Sequence, residues 1–308
     1  MASVAQIREQ YRKGGRPGSP AAIPKSARPG RRALEDQLAR VEGENHDLSR
    51  AIYEAAQVQR KLCGPRYCRT ASYEFASEIF PVRHLSGDFI SVIELEGDLV
   101  FAIGDIAGKG LRAGMWFTHV IGAIRRAMSG NGDPASALSA ADCDLFATGL
   151  ECPLTTVFLA RLTPSTGELT YSNAGHPPAL VVRGTGEVEQ LIAGGPVLGA
   201  FPRASFVNGH TRLAGNDTLV AYSDGIAESR NESGIELGSE RLAHVTRTLA
   251  GLNAGAMLFS ILAALETFAG PWRREDDIAL AVLRRLDSLE MDRERLGLEG
   301  RGPERYAV

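Results

Sequence analysis

The sequence is poor in aromatic residues, 6% of 308, and has only four cysteines. Cys63, Cys68, Cys143 and Cys152 show no C-x-x-C spacing, which excludes a zinc ribbon, a thioredoxin-type motif and a dense disulfide framework, and leaves four reduced structural thiols as the expectation. No stretch approaches the ~18 uninterrupted apolar residues of a membrane helix. The N-terminus has no apolar signal core, so a cytoplasmic protein without a membrane span is expected. Charge of one sign is also missing overall, since the net charge is −3, but the balance is uneven. Residues 1–32 carry Arg8, Arg12, Lys13, Arg16, Lys25, Arg28, Arg31 and Arg32 against Glu9 alone, a net +7, which leaves −10 for the remainder. An acidic body disfavours DNA, whereas carboxylates gathered at one place attract divalent cations.

The first 32 residues also hold four Pro and four Gly among few apolar residues, too little apolar surface to offset the entropy of ordering. They read as a disordered basic arm. From Leu34 the apolar spacing becomes four-three: Leu34, Leu38, Val41, Asn45, Leu48, Ile52, Ala55, Gln59, Leu62. Such heptads describe a helix about 43 Å long with a coiled-coil seam, in which Asn45 favours a fixed register in a parallel dimer. Gly64-Pro65 ends it.

Strands are predicted at Tyr73–Phe80, Phe89–Leu95, Leu99–Asp105, Thr156–Leu162, Leu169–Ser172, Leu180–Arg183, Ser205–Leu213, Leu219–Ser223 and Ile278–Leu283. Helices are predicted at Leu111–Met128, Pro134–Leu150, Ser239–Leu249 and Ala256–Phe268. Most strands follow one another through short turns, which favours antiparallel pairing and an α+β layered sandwich.

Four acidic clusters share one context, the end of an apolar strand: Leu85-Ser86-Gly87-Asp88, Gly104-Asp105-Ile106-Ala107-Gly108-Lys109-Gly110, Tyr222-Ser223-Asp224-Gly225, and Glu275-Asp276-Asp277 before Ile278. Asp and Gly form turns at strand ends in any protein. Four such clusters together point instead to hard divalent cations, which take carboxylates, a backbone carbonyl and water. The glycine loop is not a P-loop, having three residues between Gly104 and Gly108 and Gly110 after the lysine. G-x-S-x-G and C-x₅-R are also missing, so nucleophilic catalysis by a side chain is unsupported.

In order and spacing, S-G-D-F, G-D-I-A-G-K-G, N-A-G-H-P-P, Y-S-D-G-I-A-E and D-D-I-A-L over residues 70–285 resemble the PPM-type metal-dependent serine/threonine phosphatases, in their SpoIIE/RsbU branch. The resemblance implies two central antiparallel sheets flanked by helices, here behind the N-terminal coiled-coil helix. It also implies a centre of two Mn²⁺ or Mg²⁺ ions that activates water against a phosphoserine or phosphothreonine ester. By that resemblance Asp105 bridges the ions, the Ile106 carbonyl is a further ligand, Asp224 and Asp276 complete the cluster, and Asp88 lies near the first ion. Asp277 supports these residues. His176 replaces an Asp of the eukaryotic branch, which leaves a third-metal site open, and either orients water or packs as a loop histidine. Arg83, five residues before Asp88, matches a phosphate-binding Arg of some relatives, and Lys109 is expected to face water.

The domain order expected is an arm at 1–32, a dimerisation helix at 33–63, a phosphatase domain at 64–286 and a polar tail at 287–308. The resemblance further implies bacterial partner-switching signalling, with a phosphorylated STAS-type anti-sigma-factor antagonist as substrate and activity controlled by N-terminal segments. The heptads themselves lead to the expectation of a homodimer through residues 34–62, the alternative being a stripe packed on its own domain, and regulation is expected from a separate partner or from the dimer's geometry. A dimeric phosphoprotein-binding scaffold without activity, and a two-metal hydrolase of small phosphorylated metabolites, are the other readings the residues allow.

Overall fold

A computed structural model describes residues 31–129, 132–270, 276–287 and 290. The expected basic arm, apart from Arg31 and Arg32, and nearly all of the expected C-terminal tail lie outside these residues.

The first element is one helix, α1 (Arg31–Leu62), running through the expected heptads. The chain divides after Ala51 into two compact units, so the last turns of α1 belong to the unit that begins at Ile52. In the first unit the seam residues Leu34, Leu38, Val41 and Leu48 are 51–59% exposed on the single chain. In the second, Ala56 and Gln59 are buried. Gln59, expected on the dimer seam, is instead turned into its own domain, where its carboxamide finds a peptide to bond.

The second unit contains β1 (Tyr67–Arg69), β2 (Tyr73–Phe80), β3 (Asp88–Leu95), β4 (Asp98–Ile106), α2 (Leu111–Met128), α3 (Pro134–Ala147), β5 (Thr155–Thr163), β6 (Glu168–Ala174), β7 (Ala179–Val182), β8 (Val188–Leu191), β9 (Gly194–Gly195), β10 (Gly209–Arg212), β11 (Thr218–Tyr222), α4 (Asp224–Ala227), α5 (Gly238–Thr248), α6 (Ala254–Ala269) and β12 (Ile278–Arg285). One sheet runs β1-β2-β12-β11-β7-β8 and the other β10-β6-β5-β4-β3, with β9 added beside β6. All pairings are antiparallel except that of β9 with β6. β3 and β4 form a tight hairpin, in which Glu96 and Gly97 both take the positive φ that a two-residue primed turn needs.

The alternating side chains of the sheets meet face to face. Phe75, Ile90, Phe101, Phe158, Tyr171 and Leu283 belong to the apolar layer between them. Phe75 meets Phe101 edge-on at 6.0 Å, and Phe158 stacks on Tyr171 at 5.7 Å. These aromatic pairs bury large apolar surface between the sheets. On the outer face of the second sheet lie α2 and α3, through Phe117, Val120, Ile121, Leu138 and Leu145. On the outer face of the first lie α5 and α6, through Leu242, Met257, Leu258, Ile261 and Leu265. Each fully buried side chain of this kind contributes roughly 1.5–3 kcal/mol.

Caps fix the helix starts. Asp133 accepts from the Ser136 amide ahead of Pro134, and Asn253 accepts from the Ala256 amide. The predicted strand over 205–213 is formed only at Gly209–Arg212, and the helix from Pro134 stops at Ala147, short of Gly149 with its positive φ. Among the described residues no helix is long and apolar enough to cross a membrane.

Candidate metal centre

The antiparallel register of the β3-β4 hairpin sets Asp88 directly opposite Asp105 at its open end. Asp224 enters from the other sheet as the first residue of α4, immediately after Ser223 closes β11. Carboxylate oxygens of Asp88, Asp105 and Asp224 all lie within 4.8 Å of one another. Asp88 is 2% exposed, and its Oδ2 has no hydrogen-bond partner among the described residues.

Gly87 makes this convergence sterically possible. A Cβ there would stand 2.8 Å from both Asp105 Oδ1 and the Ile106 carbonyl oxygen, closer than ordinary contact allows. The Ile106 amide donates to the Gly87 carbonyl at 3.2 Å, which ties the two strand ends together. Behind the loop, the Asp277 carboxylate accepts from the Val82 amide at 2.7 Å, the Ser86 hydroxyl at 2.8 Å and the Gly87 amide at 2.9 Å. Asp277 thus holds the loop that carries Asp88.

Three carboxylates this close repel one another in the metal-free protein. Burial first, and then the charges of Asp224, Asp276 and Asp277, push the Asp105 carboxyl up to about 6. Burial raises Asp88 well above the usual carboxylate range, with the neighbouring aspartates adding to it and the Ser223 hydroxyl opposing. Asp224 is raised by burial and by Asp276. An unpartnered buried oxygen, converging carboxylates and an adjacent carbonyl make a hard-oxygen donor set that fits Mg²⁺ or Mn²⁺. A bound cation would reverse the upward shifts.

The other expected site residues fall around this cluster. Asp276 is not one of the three converging carboxylates. It is 53% exposed at the side chain, and its Oδ1 lies 2.7 Å from Lys109 Nζ. Its charge still reaches Asp105 and Asp224. Lys109, expected to face water, answers Asp276 across the glycine loop, because an exposed carboxylate beside other carboxylates is best relieved by the nearest ammonium. Arg83 is exposed and makes no hydrogen bond or ion pair among the described residues, while its charge is felt at Lys109.

His176 is fully buried, and burial pushes its imidazole down to about 3. It is a neutral, packed histidine. Its Nδ1 meets the Thr156 hydroxyl at 2.9 Å, while that same oxygen accepts from the Asp105 amide at 3.3 Å. Thr156 thus links the imidazole to the Asp105 backbone, while Nε2 has no well-formed hydrogen bond among the described residues. The sequence reading missed Thr156, since a threonine inside a strand carries no local signal of such a role. It also missed Gln59, whose carboxamide bonds the Ser86 backbone twice, donating from Nε2 to the carbonyl at 2.8 Å and accepting at Oε1 from the amide at 3.3 Å.

Known proteins share this architecture. The SiaA-PP2C domain of Pseudomonas aeruginosa superposes with a TM-score of 0.68 at 20% identity, covering 78% of this chain and 98% of that domain. Phosphoserine phosphatase RsbU of Bacillus subtilis is 24% identical over 246 residues, 79% of this chain and 72% of that protein. Protein IcfG of Synechocystis sp. is 28% identical over 191 residues, 53% of this chain, and the matched part spans only 30% of IcfG. The family model of Stage II sporulation protein E (SpoIIE) matches residues 96–286. That match runs from the β3-β4 turn to the end of β12 and takes in Asp105, Asp224 and Asp276, so the chain belongs to the SpoIIE family, in the RsbU branch of the PPM-type serine/threonine phosphatases.

Proposed function

We propose that the protein hydrolyses phosphoserine or phosphothreonine esters on a protein substrate, with two Mn²⁺ or Mg²⁺ ions held by Asp88, Asp105, Asp224, the Ile106 carbonyl and, on loading, Asp276. The observation that carries this reading is the convergence of the Asp88, Asp105 and Asp224 carboxylates within 4.8 Å, with the buried Asp88 Oδ2 lacking a hydrogen-bond partner among the described residues. When bound, the ions supply Lewis acidity that acidifies water and offsets charge on the phosphoryl group.

The chain's own residues do the rest. Asp105 and Asp88, fixed opposite each other by the strand register, set where the donor oxygens stand. Asp277 holds the Asp88 loop, and Gly87 keeps the approach open. Arg83, exposed and close enough for its charge to be felt at Lys109, would take a phosphoryl oxygen through its guanidinium fork. His176, buried and in contact with the Thr156 hydroxyl that accepts from the Asp105 amide, acts as a positioning residue behind Asp105.

The similarity to RsbU supports bacterial partner switching, with a phosphorylated STAS-type antagonist as substrate and a separate regulatory partner acting in the cytoplasm. The exposed Leu34, Leu38, Val41 and Leu48 seam supports a homodimer through residues 34–62. The test is phosphate release from phosphorylated STAS proteins with and without Mn²⁺. Wild-type protein should be active only with metal, and Asp105→Ala should lose at least a hundredfold while keeping its circular dichroism. Activity that survives EDTA would overturn the mechanism.

A further inference from the structure

We propose that Gln59 is a positioning residue for Asp88, which makes the last turns of α1 part of the metal site. This rests on the metal-dependent reading above. Gln59 is 8% exposed and 27 residues from its partner in sequence, yet it spends both ends of its carboxamide on the backbone of one residue, bonding the N–H and the C=O of Ser86 and so the two peptide groups that flank it. Ser86 is itself 5% exposed, so no water replaces either bond readily.

Two residues beyond Ser86 stands Asp88. From the opposite side, Asp277 holds the same loop at Val82, Ser86 and Gly87. The loop is therefore gripped between two side chains, one at the start of β12 and one on the helix. Both are needed to fix it, because Asp277 takes the Ser86 hydroxyl and the Gly87 amide and leaves the Ser86 amide and carbonyl to Gln59. Gly87 transmits the constraint onward, since it lies against Asp105 Oδ1 and the Ile106 carbonyl oxygen. Ala56, Gln59 and Cys63 on the helix side and Ser77, Ser86 and Asp88 on the sheet side line a single cleft, so the helix end reaches the rear of the buried carboxylate.

Residues that orient metal ligands from behind, when replaced, commonly cost ten- to a hundredfold in metal affinity. A glutamine on a helix, outside every acidic motif, occupies that place here.

The test is a calorimetric Mn²⁺ titration of the full chain, with hydrogen exchange at the Ser86 amide read in parallel. Gln59→Leu keeps the volume and removes both bonds. It should weaken Mn²⁺ binding about tenfold and speed Ser86 exchange. Gln57→Leu, an exposed change on the same turn, should do neither. A Gln59→Leu protein that binds Mn²⁺ within twofold of wild type overturns the inference and leaves the metal-dependent reading standing. A wild-type chain that takes up no Mn²⁺ overturns both. Should Gln59→Leu fail to fold, Gln59→Asn, one methylene too short to span both bonds, is judged by the same two criteria.

Discussion

At the scale of single residues, the centre is a place where the metal-free fold is held under electrostatic stress. The Asp105 carboxyl has an ordinary value of 3.8 and is pushed to about 6 by burial and its neighbours. Because the folded value is the higher one, the folded state binds more protons between these limits. Stability from this group is then present at low pH and lost as pH rises through about 6. Asp105→Asn removes the penalty while keeping the shape. We expect it to raise the melting temperature of metal-free protein at pH 7.5 by about 2–4 °C, with the gap closing below pH ~5. It should also abolish the stabilisation that Mn²⁺ gives the wild type. A melting temperature lowered at pH 7.5 would show that Asp105 is not strained in this way.

Whole elements depend on a second buried carboxylate far from the chemistry. Glu74 on β2 is 1% exposed, 2.6 Å from Arg69 Nη1 on β1, and accepts from the Ala254 amide at the first turn of α6. It joins an edge strand, a central strand and a helix start. Glu74→Ala should cost about 3–5 kcal/mol in urea unfolding, because it strands buried charge and an amide, while Mn²⁺ affinity of the folded protein stays at the wild-type value. The sequence displayed most of these elements. The strand at Tyr73–Phe80 and the helix at Leu111–Met128 were legible to the residue, because Ser72 and Pro81 bound an apolar-polar alternation in the first and Gly110 precedes a long apolar periodicity in the second. β1, β8 and the two-residue β9 were not, since such short edge segments owe their extension to the strand they pair with. At the site, Asp88, Asp105 and Asp224 were legible from glycine-flanked strand ends. The pairing of Asp276 with Lys109, the Thr156 bond to His176 and the inward turn of Gln59 were hidden, because each depends on tertiary partners. A heptad count assigns Gln59 to a seam and is silent on the peptide waiting 27 residues away.

For the whole molecule, the division after Ala51 and the Gln59 contact together say where the catalytic unit begins. A fragment starting at Ile52 should fold and bind Mn²⁺ as the full chain does. One starting at Gly64, the boundary a domain parse of the sequence would choose, should fold but bind Mn²⁺ about tenfold more weakly. Equal affinity in both fragments would place the boundary after Leu62. The asymmetry of charge fits this arrangement, since the acidic excess lies in the part that carries the cluster. The strand register carries a consequence of its own. Asp88 and Asp105 close the open mouth of a hairpin whose other end is the Glu96-Gly97 turn. A slip of two residues between β3 and β4 would carry one carboxylate about 7 Å along its strand, beyond reach of the other. Misaligned chains would then be metal-poor and silent, so the centre proofreads the sheet that builds it.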